Sequence, residues 1–463
     1  MIPFWKLPHN DDQIAMIEHS LAAVTYGQFK YKVESFKEKL PRMRQKQLGV
    51  ILCSNRITTM TAYVAGLQLN DALMLLDEQI NDKLLKNIIV QYAPDWIFTN
   101  KAMQGYQGYR LYYENDGYAI WCRVSSTDTI EIYPDLALLL STSGTTGSSK
   151  FVRLSYHNLQ SNAESIASYL KLNETERAIT TLPMQYSYGL SVINSHLLSG
   201  GTLLLTDASI LSKDFWIFFK ENKATSLAGV PYIYQMLHRL RFDRMDLPSL
   251  RYFTQAGGRL SPNLVRYFND VAKEKGWRFY LMYGQTEATA RISYVPPERL
   301  SEKESSIGIP IPNGKLSLDA ETSELIYEGP NVMLGYAHSH RDLAKGDELF
   351  GKLHTGDIAA MDEDGYFYIK GRMKRFIKLF GLRLNLDEIE KQIEQNFFIH
   401  VACVGDDDKL CVVTEEAAKI DAIKLYIRDL YKLHPSAFTV KSVPDLPRLA
   451  NGKINYSELK DLM

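Results

Sequence analysis

Leu139-Leu140-Ser141-Thr142-Ser143-Gly144-Thr145-Thr146-Gly147-Ser148-Ser149-Lys150 joins an apolar run to a hydroxyl- and glycine-rich loop that ends in a lysine. Such a loop is suited to phosphate. Gly144 and Gly147 let the backbone turn and approach an anion closely, the hydroxyls of Thr142, Ser143, Thr145 and Thr146 can donate, and Lys150 supplies positive charge. It is not a Walker A loop, which needs Gly directly before Lys and Ser or Thr directly after. Here Gly147 lies three residues before Lys150, and Phe151 follows.

Outward from this loop, short apolar strands alternate with helical patterns, which argues for parallel sheets covered by helices. LGVILC (48–53), ALLLST (137–142), GTLLLTD (201–207) and RFYLMYG (278–284) read as strands. Ser155 can cap a helix whose apolar positions Leu159, Ala163, Ile166, Ala167 and Leu170 fall on one face, so the loop is expected between a strand and a helix. From about Ser323 the texture changes to strands and hairpins, with Asp362-Glu363-Asp364-Gly365 as a turn. The last ninety or so residues read as a compact α+β unit with helices in NLDEIEKQIEQ and AIKLYIRDLYKL. Two domains are expected, 1–373 and 374–463, meeting at a short hinge.

Composition sets outer limits. The chain has 463 residues, 45% hydrophobic and 23% charged, with a net charge of −1. That balance gives no general pull toward nucleic acid or an anionic membrane. Cys53, Cys122, Cys403 and Cys411 are far apart and read as buried thiols of a cytoplasmic protein. Neither a signal peptide nor a membrane span is indicated.

Further motifs accompany the loop. Tyr283-Gly284-Gln285-Thr286-Glu287 places an aromatic face, a close-approach glycine, a hydroxyl and a carboxylate together after a strand. Thr254-Gln255-Ala256-Gly257-Gly258-Arg259 is a small-residue turn, Leu353-His354-Thr355-Gly356-Asp357 ends in a carboxylate, and Gly371-Arg372 closes a strand. Leu446-Pro447-Arg448-Leu449-Ala450-Asn451-Gly452-Lys453 lies near the C-terminus. In order and rough spacing these segments resemble the signatures of the adenylate-forming (AMP-binding) superfamily, which includes acyl-CoA synthetases, peptide-synthetase adenylation domains and beetle luciferases. The pattern is most similar to acyl-CoA synthetases and AMP-dependent acid ligases.

The resemblance implies an α/β fold: a large N-terminal domain of helix-covered parallel sheets plus a small distorted β-barrel, and a mobile α+β C-terminal domain. It implies ATP and Mg²⁺ as cofactors, with Thr142, Ser143, Gly144, Thr145, Thr146 and Lys150 on the phosphates. Gly257, Gly258 and Arg259 fall on the adenine side, Tyr283 stacks on the base beside Gly284, and Thr286 meets the α-phosphate. Glu287 is the expected metal ligand, Asp357 and Arg372 the ribose contacts, and Lys453 the catalytic lysine. Lys374 is the implied hinge, with Lys378 and Gly381 on the face that serves the thiol step. The basic stretch 370–383 runs into Asp387, Glu388 and Glu390, so it does not read as a nucleic-acid site.

Pro183-Met184-Gln185-Tyr186-Ser187-Tyr188-Gly189 resembles the acyl-pocket segment, but Gln185 and Tyr186 stand where an aromatic residue and a histidine are usual. No Asp lies between Pro183 and Thr206 to pair with a substrate ammonium, which disfavours a standard α-amino acid. Tyr186, Tyr188, Gly189, Val230, Pro231 and Tyr232 are the candidate pocket residues for a small carboxylic acid. The implied activity is conversion of that acid to an acyl-adenylate, then transfer to a thiol of CoA or of a separate carrier protein's phosphopantetheine. Two alternatives remain at this point: an adenylating enzyme with a non-thiol acceptor, and a non-catalytic nucleotide-binding regulator.

Overall fold

A computed structural model describes residues 2–19, 23–100, 108–115, 117–124, 131–141, 150–379, 382–406, 409–431, 433–449 and 452–461. Thr142, Ser143, Gly144, Thr145, Thr146 and Gly381 lie outside the described residues. The chain forms two compact units. The first comprises residues 1–304, 308–315 and 328–353, and the second 305–307, 316–327 and 354–463. Within the second unit the strand Phe367–Arg372 is tied to the start of the helix Leu386–Phe397. Arg372 N–H donates to Asp387, and Asn385 Nδ2 donates to the Lys370 carbonyl.

Two sheets organise the first unit. One has eight strands and a parallel centre in the order Leu136–Ser141, Ala72–Asp77, Leu48–Cys53, Trp96–Thr99. The strands of this parallel centre are apolar almost throughout because both faces are covered. Ile51, Cys53, Leu73 and Leu75 face one core, while Val50, Leu52, Met74 and Leu76 face another beneath the helix Asp82–Tyr92. That is the two-residue period of a strand expressed on two buried sides. The helix Ile57–Gln68 is buried on nearly every face, as a helix packed among other layers must be.

The other sheet has nine strands. Arg278–Tyr283, Tyr252–Gln255, Ser226–Gly229, Arg177–Ile179, Thr202–Leu205 and Ile14–Glu18 run parallel in that order. Each of the four strands expected from sequence is present, as Leu48–Cys53, Leu136–Ser141, Thr202–Leu205 and Arg278–Tyr283.

One expectation is corrected. Phe151–Ser155 is itself a strand, antiparallel to Leu136–Ser141 with Leu140 opposite Val152, so the phosphate loop joins two strands rather than a strand and a helix. Phe151 and Val152 have strong strand preference, and with Leu154 they fill the two cores on either side of the sheet. Ser155 does cap the helix Tyr156–Leu170, accepting from Asn158 N–H in a reciprocal capping box.

In the second unit, Lys352–Met361 and Phe367–Arg372 pair antiparallel across the turn expected at 362–365. They belong to a four-stranded sheet with Lys315–Leu318 and Glu324–Glu328. The hairpin Phe376–Leu379 and Leu382–Asn385 leads into the helix Leu386–Phe397, capped by Asn385. A three-stranded sheet and the helix Ile420–Tyr431 complete a separate core around Ile389, Ile393, Val412 and Ile427. All four cysteines are buried and unpaired, and burial pushes the Cys53, Cys122 and Cys403 thiols up, so these do not ionise near neutrality. Among the described residues no helix is long and apolar enough to cross a membrane.

Candidate functional site

In the first unit the candidate residues gather where parallel strands end. Tyr283 closes the strand Arg278–Tyr283, Gln255 closes Tyr252–Gln255, and Gly229 closes Ser226–Gly229. Ligands of open α/β sheets bind beyond such carboxyl ends. After Gln255 the chain turns through Gly257 at φ +81°, so close to the next strand's loop that an added Cβ would meet the Tyr186 hydroxyl at 2.4 Å and Val230 at 3.0 Å. A Cβ on Gly258 would meet Pro231 at 3.1 Å. The sequence motifs at 186, 230–231 and 257–258 therefore form one wall. Gln255 Nε2 braces the turn by donating to the Ala256 and Gly258 carbonyls.

Across from that wall, the short 3-10 turn Thr286–Ala288 follows Gly284. The hydroxyls of Thr286 and Ser187 are 3.1 Å apart, which joins the Thr286 segment to the start of the helix Ser187–Ser199. Gln285 Nε2 donates to the Tyr283 hydroxyl at 3.1 Å. The Tyr336 hydroxyl donates to Glu287 Oε1 at 3.0 Å, and Lys150 Nζ sits 3.4 Å from the centre of the Tyr336 ring. One tyrosine thus links the lysine that ends the phosphate loop to the expected metal carboxylate. Burial, and then the neighbouring Glu287 charge, push the Tyr336 hydroxyl up, which keeps it protonated and donating.

Sequence reasoning missed Ser187 and Tyr336 as members of this cluster. The one signal for Tyr336 was an aromatic residue after glycine in Val332-Met333-Leu334-Gly335-Tyr336. Its strand, Gly335–Ala337, pairs with Phe151–Ser155, and Met333 N–H donates to the Glu287 carbonyl.

The pocket candidates divide by environment. Tyr188 is buried, with its hydroxyl bonded to the Thr254 hydroxyl at 2.7 Å. Gly189 presses on the Pro183 carbonyl, where a Cβ would come within 2.4 Å, so its need is a backbone one. Tyr232 is 36% exposed on the first turn of the helix Pro231–Arg239. Gln185 Oε1 is buried with no hydrogen-bond partner. Asp207 is exposed and accepts from Asn55 N–H at 3.3 Å.

Among the described residues no cluster of three or more potential metal-ligating side chains exists. A magnesium ion would not need one, because it takes one or two carboxylates and fills its remaining positions with phosphate oxygens and water. Glu287 fits that demand. Its Oε1 is held by Tyr336, which fixes the carboxylate's orientation.

In the second unit Asp357, 3% exposed, is paired with Arg372, with Nε 3.3 Å from Oδ1, across neighbouring strands. Gly371 lets Asn385 approach, since a Cβ there would fall 2.1 Å from its amide nitrogen. Lys374 lies in the 3-10 turn Met373–Arg375, and Lys378 in the strand Phe376–Leu379. Lys453 sits at the foot of a tight reversal in which Arg448 pairs with Ile454, and Leu449 N–H donates to the Lys453 carbonyl at 2.8 Å.

The segment after Lys453 is anchored through Tyr456, whose hydroxyl is 3.2 Å from Glu390 Oε2 and whose ring lies 4.0 Å from the Arg375 guanidinium carbon. Arg375 also donates to Glu390 Oε1 at 2.8 Å and pairs with Asp387 at 2.7 Å. Burial raises the Glu390 carboxyl from 4.5 to about 7, with Arg375 offsetting only part of the desolvation. A carboxyl raised in the folded state gives stability that is complete below pH 4.5 and is lost as pH rises toward 7. Glu390→Gln is therefore expected to flatten the stability profile between pH 4.5 and 7 by roughly 2–4 kcal/mol, read as the difference between wild-type and variant denaturant midpoints. Parallel profiles for the two proteins would disprove it.

Comparison with known proteins agrees with this architecture. Residues 5–337 match the family described as AMP-binding enzyme. A protein described as a probable CoA ligase from Humulus lupulus is 28% identical over 346 residues, covering 69% of this chain and 65% of its own, just under two thirds. A long-chain-fatty-acid–CoA ligase from Salmonella typhimurium is 31% identical over 410 residues, 82% of this chain and 68% of its own. In fold, o-succinylbenzoate CoA synthetase from Bacillus subtilis superposes with a TM-score of 0.77 at 21% identity, covering 99% of this chain. It has been solved with an acyl-adenylate, covering 98% of that chain, and with ATP and a magnesium ion, covering 99%. A family match over most of the chain, together with a relative 31% identical over 82% of it, makes this protein a member of the AMP-binding enzymes, the adenylate-forming superfamily of acyl-CoA synthetase-like proteins.

Proposed function

We propose that this protein uses ATP and Mg²⁺ to convert a carboxylic acid to an acyl-adenylate and then transfers the acyl group to the thiol of CoA. The observation that carries this reading is the Lys150–Tyr336–Glu287 chain beside Thr286, with Thr286 and Glu287 just past the carboxyl end of the parallel strand Arg278–Tyr283. It groups a cation, a carboxylate suited to a metal and a hydroxyl suited to a phosphate.

In the first step a carboxylate oxygen attacks the α-phosphorus of ATP and the bond to pyrophosphate breaks. Thr286 and Lys150 meet the phosphate oxygens, where negative charge is concentrated, and Glu287 holds the metal that neutralises the rest. The turn at Gly257-Gly258 and the face of Tyr283 receive the base, because small residues admit a flat ring against the backbone. Asp357 accepts from the ribose hydroxyls, and Arg372 steadies it. Lys453 bridges acyl and phosphate oxygens as the bond changes. Lys374 is the hinge, and Lys378 and Gly381 serve the thiol step. Residues 1–373 and 374–463 act as the two functional halves, and the buried thiols suit a reducing cytoplasm.

The test is carboxylate-dependent ATP–pyrophosphate exchange with Mg²⁺ across short-chain, medium-chain, hydroxylated, aromatic and amino acids. Exchange with at least one acid, followed by consumption of the CoA thiol, is the expected result. AMP binding with no exchange for any acid would defeat the reading. Exchange with no loss of CoA thiol would move the acceptor to a carrier protein's phosphopantetheine or to a non-thiol group.

A further inference from the structure

Arg291 is only 2% exposed and lies on the wall of a cavity bounded by Ile166 and Leu170, by the helix Ser187–Ser199, and by Ser226, Tyr252 and Thr254. Its guanidinium carbon stands 4.1 Å from the centre of the Tyr188 ring, and its charge acts on the nearby Tyr169 hydroxyl. It forms no ion pair with a carboxylate among the described residues, and its Nε has no acceptor. Arg153, equally buried, shows what such a charge ordinarily requires. It has the Glu348 carboxylate together with the carbonyls of Leu334, Tyr336 and Gly346.

The other polar groups on this wall are satisfied. Ser191 donates to the Tyr188 carbonyl at 2.7 Å and Ser195 to the Val192 carbonyl at 3.2 Å. His196 Nδ1 is 2.7 Å from the Val192 carbonyl, which can only accept, so Nδ1 carries the proton and Nε2 accepts from the Tyr252 hydroxyl at 3.1 Å. Burial holds this imidazole below its ordinary range and therefore neutral. The cavity thus presents one positive charge and no negative one, a costly arrangement until an anion enters. Its room of about 20 Å³ suits one or two waters, or a group the size of a carboxylate. On its wall Arg291 lies over the Tyr188 ring, and the residue before that tyrosine, Ser187, meets the Thr286 hydroxyl.

We propose that Arg291 is the specificity-determining residue of the acid pocket, and that the acid activated carries a second carboxylate at its far end which enters this cavity as the missing counter-ion. The assignment rests on the acid-activating function proposed above. One carboxylate meets the α-phosphate near Thr286, and the other pairs with Arg291 through Nε, the donor the fold leaves unused.

The experiment compares monocarboxylates with dicarboxylates of the same carbon number, from three to six carbons. Binding is measured by calorimetry in the presence of AMP, and pyrophosphate exchange is measured in parallel. The expected result is that a dicarboxylate binds wild type at least ~10-fold more tightly than its monocarboxylate partner. Arg291→Met should abolish that preference while AMP affinity holds, and Arg291→Lys should recover part of it. Equal or tighter binding of the monocarboxylate by wild type, no binding of any dicarboxylate, or an unchanged preference in Arg291→Met would overturn the assignment. The wild-type comparison decides the matter even where Arg291→Met does not fold. Preferential dicarboxylate binding without exchange would overturn acid activation and leave the pocket assignment standing, whereas exchange with monocarboxylates alone would do the reverse.

Discussion

Lys453→Ala is expected to lower carboxylate-dependent pyrophosphate exchange by at least ~10²-fold. The reversal that carries Lys453 is held by backbone and by its neighbours. Leu449 N–H donates to the Lys453 carbonyl, Gly452 N–H to the Leu449 carbonyl, and Asn455 N–H to the Pro447 carbonyl, each at 2.8 Å. Those three bonds are made by the backbone and do not depend on the side chain of residue 453. What is lost is a positive charge directed at oxygens that gain negative charge as pyrophosphate leaves, and removal of one such donor costs about 3–4 kcal/mol of transition-state stabilisation. AMP affinity should change far less than exchange, because the nucleotide's base and ribose are held elsewhere. A variant that exchanges pyrophosphate at the wild-type rate would remove Lys453 from the mechanism.

The second large effect is a stability one. Gly284→Ala should destabilise the protein by more than ~3 kcal/mol and abolish nucleotide binding. A Cβ at position 284 would lie 1.7 Å from the Ala290 carbonyl oxygen and 2.9 Å from the Arg291 Cα, both backbone atoms. The opposing segment is pinned in place. Ile292 N–H donates to the Tyr283 carbonyl at 3.0 Å, and Asn331 Nδ2 donates to the Ala288 and Arg291 carbonyls at 2.8 Å each. The Thr289 hydroxyl closes the clamp on the Asn331 carbonyl at 2.7 Å. Gly276→Ala is the control, since its φ is +72° but nothing lies within 4 Å of the added carbon, and its cost should be about 1 kcal/mol from backbone strain alone. Equal shifts in denaturant midpoint for the two variants would show that the close approach at Gly284 is not what makes glycine necessary there.

Much of the candidate site was legible because its chemistry is local. Gly284 and Gly257 are each read from a strand followed by a small-residue turn, and Glu287 and Asp357 are carboxylates within recognisable strings. Their partners were not legible. Tyr336 stands 49 residues from Glu287, and Arg153 is 195 residues from the Glu348 that neutralises it. Contacts of that separation leave no periodicity or spacing to read. The strand Phe151–Ser155 escaped for a related reason. A short stretch of three apolar residues and an arginine running into the helix cap Ser155 reads as the helix's lead-in until its partners, Leu136–Ser141 on one side and Gly335–Ala337 on the other, are known.

By itself the sequence determined the layered α/β class, the two kinds of texture along the chain and the order of the nucleotide motifs. Those properties come from short-range forces: the two-residue and 3.6-residue periods of apolar burial, the special backbone freedom of glycine, and the capping of helix ends. Tertiary structure alone decided that Tyr336 would tie Lys150 to Glu287, that Ser187 would meet Thr286, and that Arg291 would be buried without a carboxylate beside a cavity. A charge's partner is set by which distant segments the packed core brings within a few ångströms, and in a low-dielectric interior that proximity gives the charge its energetic weight.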